Sequence, residues 1–181
     1  GELETLRNEL MQVKQASLTD SLTGIANRAA FDIHLEQAIE EARQGQSGLC
    51  LLLADIDYFK KVNDSYGHLV GDKVLRFVAT ILKRCVKGSD FVARFGGEEF
   101  AVLLPDCDLQ GAYTVAEQIR QAIANGRLKD ANTDKTYSRV TISIGIAELA
   151  PGDLSSTLIE RADRLLYQAK SSGRNRCERA A

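Results

Sequence analysis

Two short acidic stretches carry the residues best suited to chemistry. Asp55-Ile56-Asp57 follows the apolar run Leu49 to Ala54, and Gly96-Gly97-Glu98-Glu99 stands between the apolar runs Phe91-Val92-Ala93 and Phe100 to Leu104. A carboxylate at the end of an apolar strand is costly to bury unless it is paired or bound to a cation. The ordinary alternative for Asp55 is to cap the next helix. The second stretch reads as the tip of a β-hairpin whose turn needs glycine backbone freedom and lets a ligand come close. Beside a central strand, that hairpin brings Glu98 or Glu99 to Asp55. Two oxygen ligands plus substrate phosphates are a common way to hold Mg²⁺. Adjacent strand residues point to opposite faces, so Glu98 and Glu99 are expected to differ in role. The combination points to a metal-dependent nucleotide site.

Other polar residues fit that chemistry. The segment Tyr58 to Asp72 is rich in turn residues and, taken plainly, is a solvated loop. Its functional reading is a purine pocket. An Asp accepts from guanine N1–H and N2–H₂, an Asn complements the remaining edge, and adenine lacks that donor pair. His68 alone is more often structural than catalytic. Lys170 and Arg174 are four apart at the end of the last helix. Cations favour helix C-termini in any case, and the functional alternative is a clamp on polyphosphate.

The elements that must position these residues follow from hydrophobic periodicity. Leu49 to Ala54 reads as the central strand, buried on both faces. Phe31, Leu35, Ala38, Ile39 and Ala42 share one face of a helix ending before Gly45. Further helices carry Val74, Leu75, Val78, Leu82 and Cys85, then Ala112, Val115, Ile119, Ala122 and Ile123, then Leu154, Leu158, Ala162, Leu165 and Ala169. Val140, Ile142, Ile144 and Ile146 alternate with smaller residues, which predicts a half-buried strand. Residues 125–138 read as a loop or short edge hairpin. The order α, β, α, β-hairpin, α, β, α implies an α+β fold with a mixed, largely antiparallel central sheet flanked by helices. A doubly wound fold fits less well, since no GxxxxGK loop follows the first strand.

At the N-terminus, Leu3, Leu6, Leu10 and Val13 form an a/d stripe. Two heptads are too short for a stable coiled coil alone. The helix is expected either to lie on the domain or to be the end of a longer dimeric signalling helix. The 181 residues are 27% charged and 44% hydrophobic with net charge −2, the composition of one soluble domain with no leaning toward nucleic acid. Cys50, Cys85, Cys107 and Cys177 lack metal-ligand spacing, and Cys50 and Cys85 read as buried reduced thiols of a cytosolic protein. No apolar run approaches the roughly 20 residues of a membrane span. No signal peptide is evident. The chain opens inside a helix, as expected for a piece of a longer protein.

Six segments in order resemble one family. Asp20-Ser21-Leu22-Thr23-Gly24 with Asn27-Arg28 is similar to a DxLTGxxNR motif. Asp55 to Lys60 is similar to DIDxFK, and Asn63-Asp64 with Gly67-His68 and Gly71-Asp72 to NDxxGHxxGD. Gly96 to Phe100 resembles the GGDEF signature in its GGEEF variant, and Val140 to Ala147 a VTxSxGxA strand. Ala162 to Asn175 resembles an ADxxLYxAKxxGRN ending. By these motifs the chain resembles the GGDEF-domain diguanylate cyclases over residues 18–176. That divides it into a signalling-helix stub, 1–17, and the cyclase domain, 18–181.

The resemblance implies a fold like that of class III nucleotidyl cyclases. It also implies condensation of two GTP to cyclic di-GMP, with release of two pyrophosphates, by two domains meeting face to face. Asp55, Glu98 and the Ile56 carbonyl would hold Mg²⁺ or Mn²⁺, with Glu99 assisting. Glu98 would also be the base for the ribose 3′-hydroxyl. Asn63 and Asp72 would read guanine, and His68 would line the pocket. Amides near Phe59 and Lys60, with Lys170 and Arg174, would hold the β- and γ-phosphates, while Gly96 and Gly97 let the backbone approach base and ribose. A sensor domain would stand upstream. The location implied is cytoplasmic, with any membrane anchor outside this fragment and no membrane contact by it.

The chain departs from the family at one place. The RxxD inhibitory site, where product binds, corresponds to Lys87-Gly88-Ser89-Asp90, and a second family arginine to Gln118. Lysine lacks arginine's planar bidentate contact, so strong product inhibition is not expected. The alternative function is a catalytically weak module acting as a GTP or cyclic di-GMP receptor. Such receptors usually lose the signature acids, which this chain keeps. A purely structural dimerisation domain leaves the buried acids unexplained.

Overall fold

The computed structural model describes residues 1–129, 136–137 and 139–180. The central strand β1 (Leu49–Ile56) is buried along almost its whole length. It pairs antiparallel with β3 (Glu99–Pro105) on one side and β4 (Ile142–Glu148) on the other. The short β2 (Phe91–Arg94) extends the sheet beyond β3, and β5 (Cys177–Arg179) lies parallel to β4, giving the order β2-β3-β1-β4-β5. The sheet is therefore mixed and largely antiparallel, as expected.

Period-2 alternation divides β1 between two cores. Cys50, Leu52, Ala54 and Ile56 face α4 (His68–Cys85) and α5 (Leu109–Asn125), meeting Val74, Val78, Leu82, Ile119 and Ile123. Leu49, Leu51 and Leu53 face α2 (Arg28–Gly45) and α6 (Ser155–Ser171), meeting Phe31, Leu35, Leu158 and Leu166. Asn27 and Asp108 cap α2 and α5 through side-chain acceptors for the Ala30 and Gly111 amides.

Four expectations change. β4 is buried on both faces, not half-buried, because its small residues admit α6. A methyl group on Gly145 would overlap the Ala162 carbonyl and the Leu166 amide, so the helix sits directly on the strand backbone. In the second half of α6 the buried leucine is Leu166, while Leu165 is half-buried and Leu154 precedes the helix exposed. The polar segment after Asp57 is not a loop. It forms α3 (Phe59–Tyr66), broken from α4 at Gly67, whose φ of 87° is left-handed. Its single buried side chain, Phe59, left no stripe to read. Finally, Cys85 is only half-buried; all four cysteines are free thiols.

The N-terminal α1 (Glu2–Leu18) does not lie on the domain through its apolar stripe. Leu3, Leu6, Leu10 and Val13 are 61–72% exposed, which removes the first of the two readings of that helix. Among the described residues no helix is long and apolar enough to cross a membrane. Of the predicted 125–138 loop or hairpin, an isolated antiparallel bridge joins Lys129 to Thr136, and residues 130–135 and 138 lie outside the described ones.

The close approach of α6 to β4 yields a stability prediction. Gly145→Val should lower stability by about 2 kcal/mol or more, because overpacking here meets backbone rather than a movable side chain. A urea melt checks it: the midpoint should fall, and an unchanged midpoint would contradict the packing described.

Candidate active site

β1 ends where the sheet opens, and register does the first part of the assembly. Asp55 is the direct antiparallel partner of Glu99, and the Ile56 amide donates to the Glu98 carbonyl at 3.2 Å. The hairpin thus lays Glu98 and Glu99 against the end of the central strand, as the two acidic stretches predicted. Burial pushes the Glu98 and Glu99 carboxyls up, and the nearby Asp55 charge pushes them further. Burial raises Asp55 too, against the pull of Lys170. Like charges in a partly desolvated corner favour a cation.

The glycines of the turn work by size, not by unusual backbone angles. The loop Phe95 to Glu98 is closed by the Phe95 and Gly96 amides, both donating to the Glu99 carbonyl at 2.8 and 3.2 Å. Neither Gly96 nor Gly97 has positive φ, which corrects the expectation of a turn demanding glycine's freedom. The wider loop spreads the reversal over four residues. A Cβ on Gly96 would come within 3.2 Å of Glu99 Oε2, while Gly97 faces open space. Exposed backbone there remains open to a ligand.

Arg94 holds this tip, a role that sequence reasoning missed. Its guanidinium donates to the Gly96 carbonyl at 3.2 Å and to the Gly97 carbonyl at 2.7 Å, and pairs with Asp20 at 3.2 Å. Asp20 is itself fixed by the Thr23 hydroxyl at 2.6 Å. Burial raises the Asp20 carboxyl, but the Thr23 hydrogen bonds and Arg94 outweigh it and hold it low. The motif around residue 20 therefore buttresses the hairpin from outside.

Lys170 reaches back from the end of α6 into the acidic corner. Its ammonium lies 2.8 Å from both Asp55 Oδ1 and Asp57 Oδ1. There it neutralises carboxylates, a third job beside the helix-end and phosphate roles considered from sequence. Arg174, with φ of 64°, places its guanidinium 4.6 Å from the centre of the Tyr58 ring. Tyr58 is the N-cap of α3, so the first amides of that helix, at Phe59 and Lys60, lie beside a cation. Helix N-terminal amides lack intrahelical partners and suit an anion.

The remaining predicted residues fall around α3 and α4. Asn63 Oδ1 is buried and has no hydrogen-bond partner among the described residues, a state that costs about 1–3 kcal/mol unless a donor arrives. A Cβ on Gly71 would overlap that oxygen, so glycine is required for the two helices to close around it. Asp72 is half-buried on α4, and His68 opens that helix exposed. Lys87 and Asp90 sit elsewhere, in a turn before β2 where the Lys87 amide donates to Asp90 Oδ2 at 3.0 Å. Gln118 is exposed on α5.

Among the described residues no three His, Cys, Asp or Glu side chains are already gathered as a complete metal cage. The donor set nevertheless fits a hard divalent cation. Such ions bind through one or two carboxylates plus substrate phosphates, and the Asp55 and Glu98 carboxyls stand together there, the first of them paired with Lys170.

Comparison with known proteins agrees with this geometry. A family model described as "Diguanylate cyclase, GGDEF domain" matches residues 17–176. The chain is 40% identical over 175 residues to diguanylate cyclase DgcP of Pseudomonas aeruginosa, covering 97% of this chain and 26% of the relative. It is 39% identical over 175 residues to diguanylate cyclase VdcA of Vibrio cholerae, covering 97% of this chain and 50% of the relative. It thus spans between a quarter and a half of these relatives' length. The crystal structure of the coiled coil and GGDEF domain of DgcB from Caulobacter crescentus, in complex with c-di-GMP, superposes with a TM-score of 0.95. Identity is 41%, over 99% of this chain and 94% of that one. The chain belongs to the GGDEF-domain family of diguanylate cyclases.

Proposed function

We propose that this chain is a diguanylate cyclase domain, joining two GTP into cyclic di-GMP with release of two pyrophosphates. The observation that carries this is the Asp55–Glu99 register, which sets Glu98 and Glu99 on the end of the central strand beside Lys170. Asp55, Glu98 and the Ile56 carbonyl would hold a divalent cation, Mg²⁺ or Mn²⁺, with Glu99 assisting. The ion supplies neutralisation of the triphosphate. The chain's own groups do the rest. Glu98, whose carboxyl is raised by burial and by Asp55, is suited to take the proton of a ribose 3′-hydroxyl. Lys170, Arg174 and the amides of Phe59 and Lys60 would hold the β- and γ-phosphates. The orphaned Asn63 oxygen would accept from guanine, and Asp72 would take the other donors. Gly97, open at the tip, would let base and ribose lie against backbone, with His68 at the pocket rim.

One site holds one GTP, yet each product needs two new phosphodiester bonds. Two copies would therefore meet with their Glu98 hairpins facing. The exposed stripe of α1 supports a dimeric helix as the device that brings them together, continuous with a sensor domain in a longer cytoplasmic protein.

Glu98→Gln keeps the shape and removes the charge. With GTP and Mg²⁺ the variant should form cyclic di-GMP about 10²-fold more slowly or worse, the usual scale for an acid–base role. Near-normal turnover would remove Glu98 from the mechanism.

Base choice follows from Asn63 and Asp72. A site built on buried polar groups rejects the base that leaves them unpaired. GTP should be strongly preferred over ATP in side-by-side product assays, and comparable product from both would show that the pocket is misassigned.

Feedback should be weak. Lys87 is a mobile point charge and Gln118 has none, where arginines would stack and fork onto guanine. A charge-assisted bond contributes about 1.5–3 kcal/mol, so cyclic di-GMP should bind here at least about tenfold more weakly than to the double variant Lys87→Arg, Gln118→Arg. Calorimetry on the two proteins checks it. Equal, tight and inhibitory binding to both would contradict it.

A further inference from the structure

Asp57 lies two residues past Asp55, yet its setting is opposite. It is 3% exposed, one of the buried charged side chains among the described residues. Its Oδ1 accepts from the Ser143 hydroxyl at 2.7 Å and from Lys170 Nζ at 2.8 Å. Its Oδ2 accepts from the Thr141 hydroxyl at 2.7 Å and from the Asn175 amide at 2.9 Å. A carboxylate offers about four acceptor positions, so Asp57 has none left for a cation. The donors come from the start of β4, the end of α6 and the turn beyond it. That turn carries Arg174 and Asn175 at φ of 64° and 46°, and Arg120, itself paired with Glu117, holds the Asn175 side chain at 3.0 Å.

Lys170 is equally committed. Besides the two carboxylates, its ammonium donates to the Asp55 carbonyl at 3.2 Å, which uses all three of its donors. Two demands on the site therefore conflict with this arrangement. A divalent cation needs Asp55, and phosphates need Lys170. Both are met if the Lys170–Asp55 contact opens while the Lys170–Asp57 contact holds.

We propose that Asp57 is a positioning residue that tethers the Lys170 ammonium. Lys170 can then release Asp55 to a divalent cation and turn to the nucleotide's phosphates without leaving the site. This rests on the reading of the corner as a GTP and cation site. Without the Asp57 charge, Asp55 is the one carboxylate among the described residues still in an ion pair with the lysine, which then competes with the cation for it. By its hold on the Asn175 amide, Asp57 also sets the turn that presents Arg174.

The test uses the whole chain with Mn²⁺, read by the electron paramagnetic resonance of free ion, and 3′-deoxy-GTP, which lacks the attacking hydroxyl. Asp57→Asn should weaken Mn²⁺ binding in the presence of saturating 3′-deoxy-GTP by about 10–100-fold, the scale for removing a partner that orients a site. The double variant Asp57→Asn, Lys170→Met should regain Mn²⁺ affinity to within about threefold of the unmodified chain while still binding 3′-deoxy-GTP weakly, since no lysine competes or clamps. Lys170→Met alone, which leaves Asp57 its three other donors, should bind Mn²⁺ without nucleotide about tenfold more tightly than the unmodified chain. Unchanged Mn²⁺ affinity in Asp57→Asn, or a double variant as weak as Asp57→Asn, would overturn the tether and leave Asp57 a scaffold residue. Unchanged affinity in Lys170→Met would overturn it independently of how the Asp57 variants fold. An unmodified chain that binds no 3′-deoxy-GTP with Mn²⁺ would overturn the reading of the site itself, and the tether with it.

Discussion

The structure is organised around negative charge that β1 and the β2–β3 hairpin force together. Antiparallel register makes Asp55 the partner of Glu99, and Glu98 is bonded through its carbonyl to the next amide of β1. Each carboxyl is pushed up by burial, and the two glutamates by Asp55 as well. Lys170 offsets part of that charge. A site that gathers carboxyls beside a lysine in this way is pre-organised for a cation and a polyphosphate.

The rest of the fold serves to hold that corner still. Two helices cover each main face of the sheet, so the end of β1 is fixed from above and below. α6 can lie close enough to reach the corner with Lys170 only because Gly145 leaves room for it. Arg94 and Asp20 brace the hairpin tip from the side away from β1. Asp57, with its four donors, ties β1, β4 and the turn after α6 into one unit.

Much of this was legible in the residues. The run Leu49 to Ala54 is short and apolar throughout, as a strand buried on both faces is, two apolar runs flank Gly96-Gly97, and the stripes of α2, α4 and α5 have the helical period. The meeting of Asp55 with Glu98 and Glu99 followed from placing a hairpin beside a central strand. What was not legible depends on contacts distant in sequence. β5 is three residues long and exists because β4 offers an edge. α3 buries one side chain and takes its place from Gly67 and the closure of α4. Arg94 looks like any strand-end cation until Asp20, 74 residues earlier, is found beside it. Lys170 was read as a helix-end charge or a phosphate ligand, because its pairing with Asp55 and Asp57 spans 115 and 113 residues.

The central claim is that the end of β1 is a joint site for a divalent cation and GTP. It is tested most directly by calorimetric titration of the intact chain with GTP, in the presence of Mg²⁺ and again with the metal chelated. The account predicts saturable binding of one GTP per chain with Mg²⁺ and a loss of at least about tenfold in affinity without it. GTP binding of equal strength under both conditions, or none under either, would contradict it.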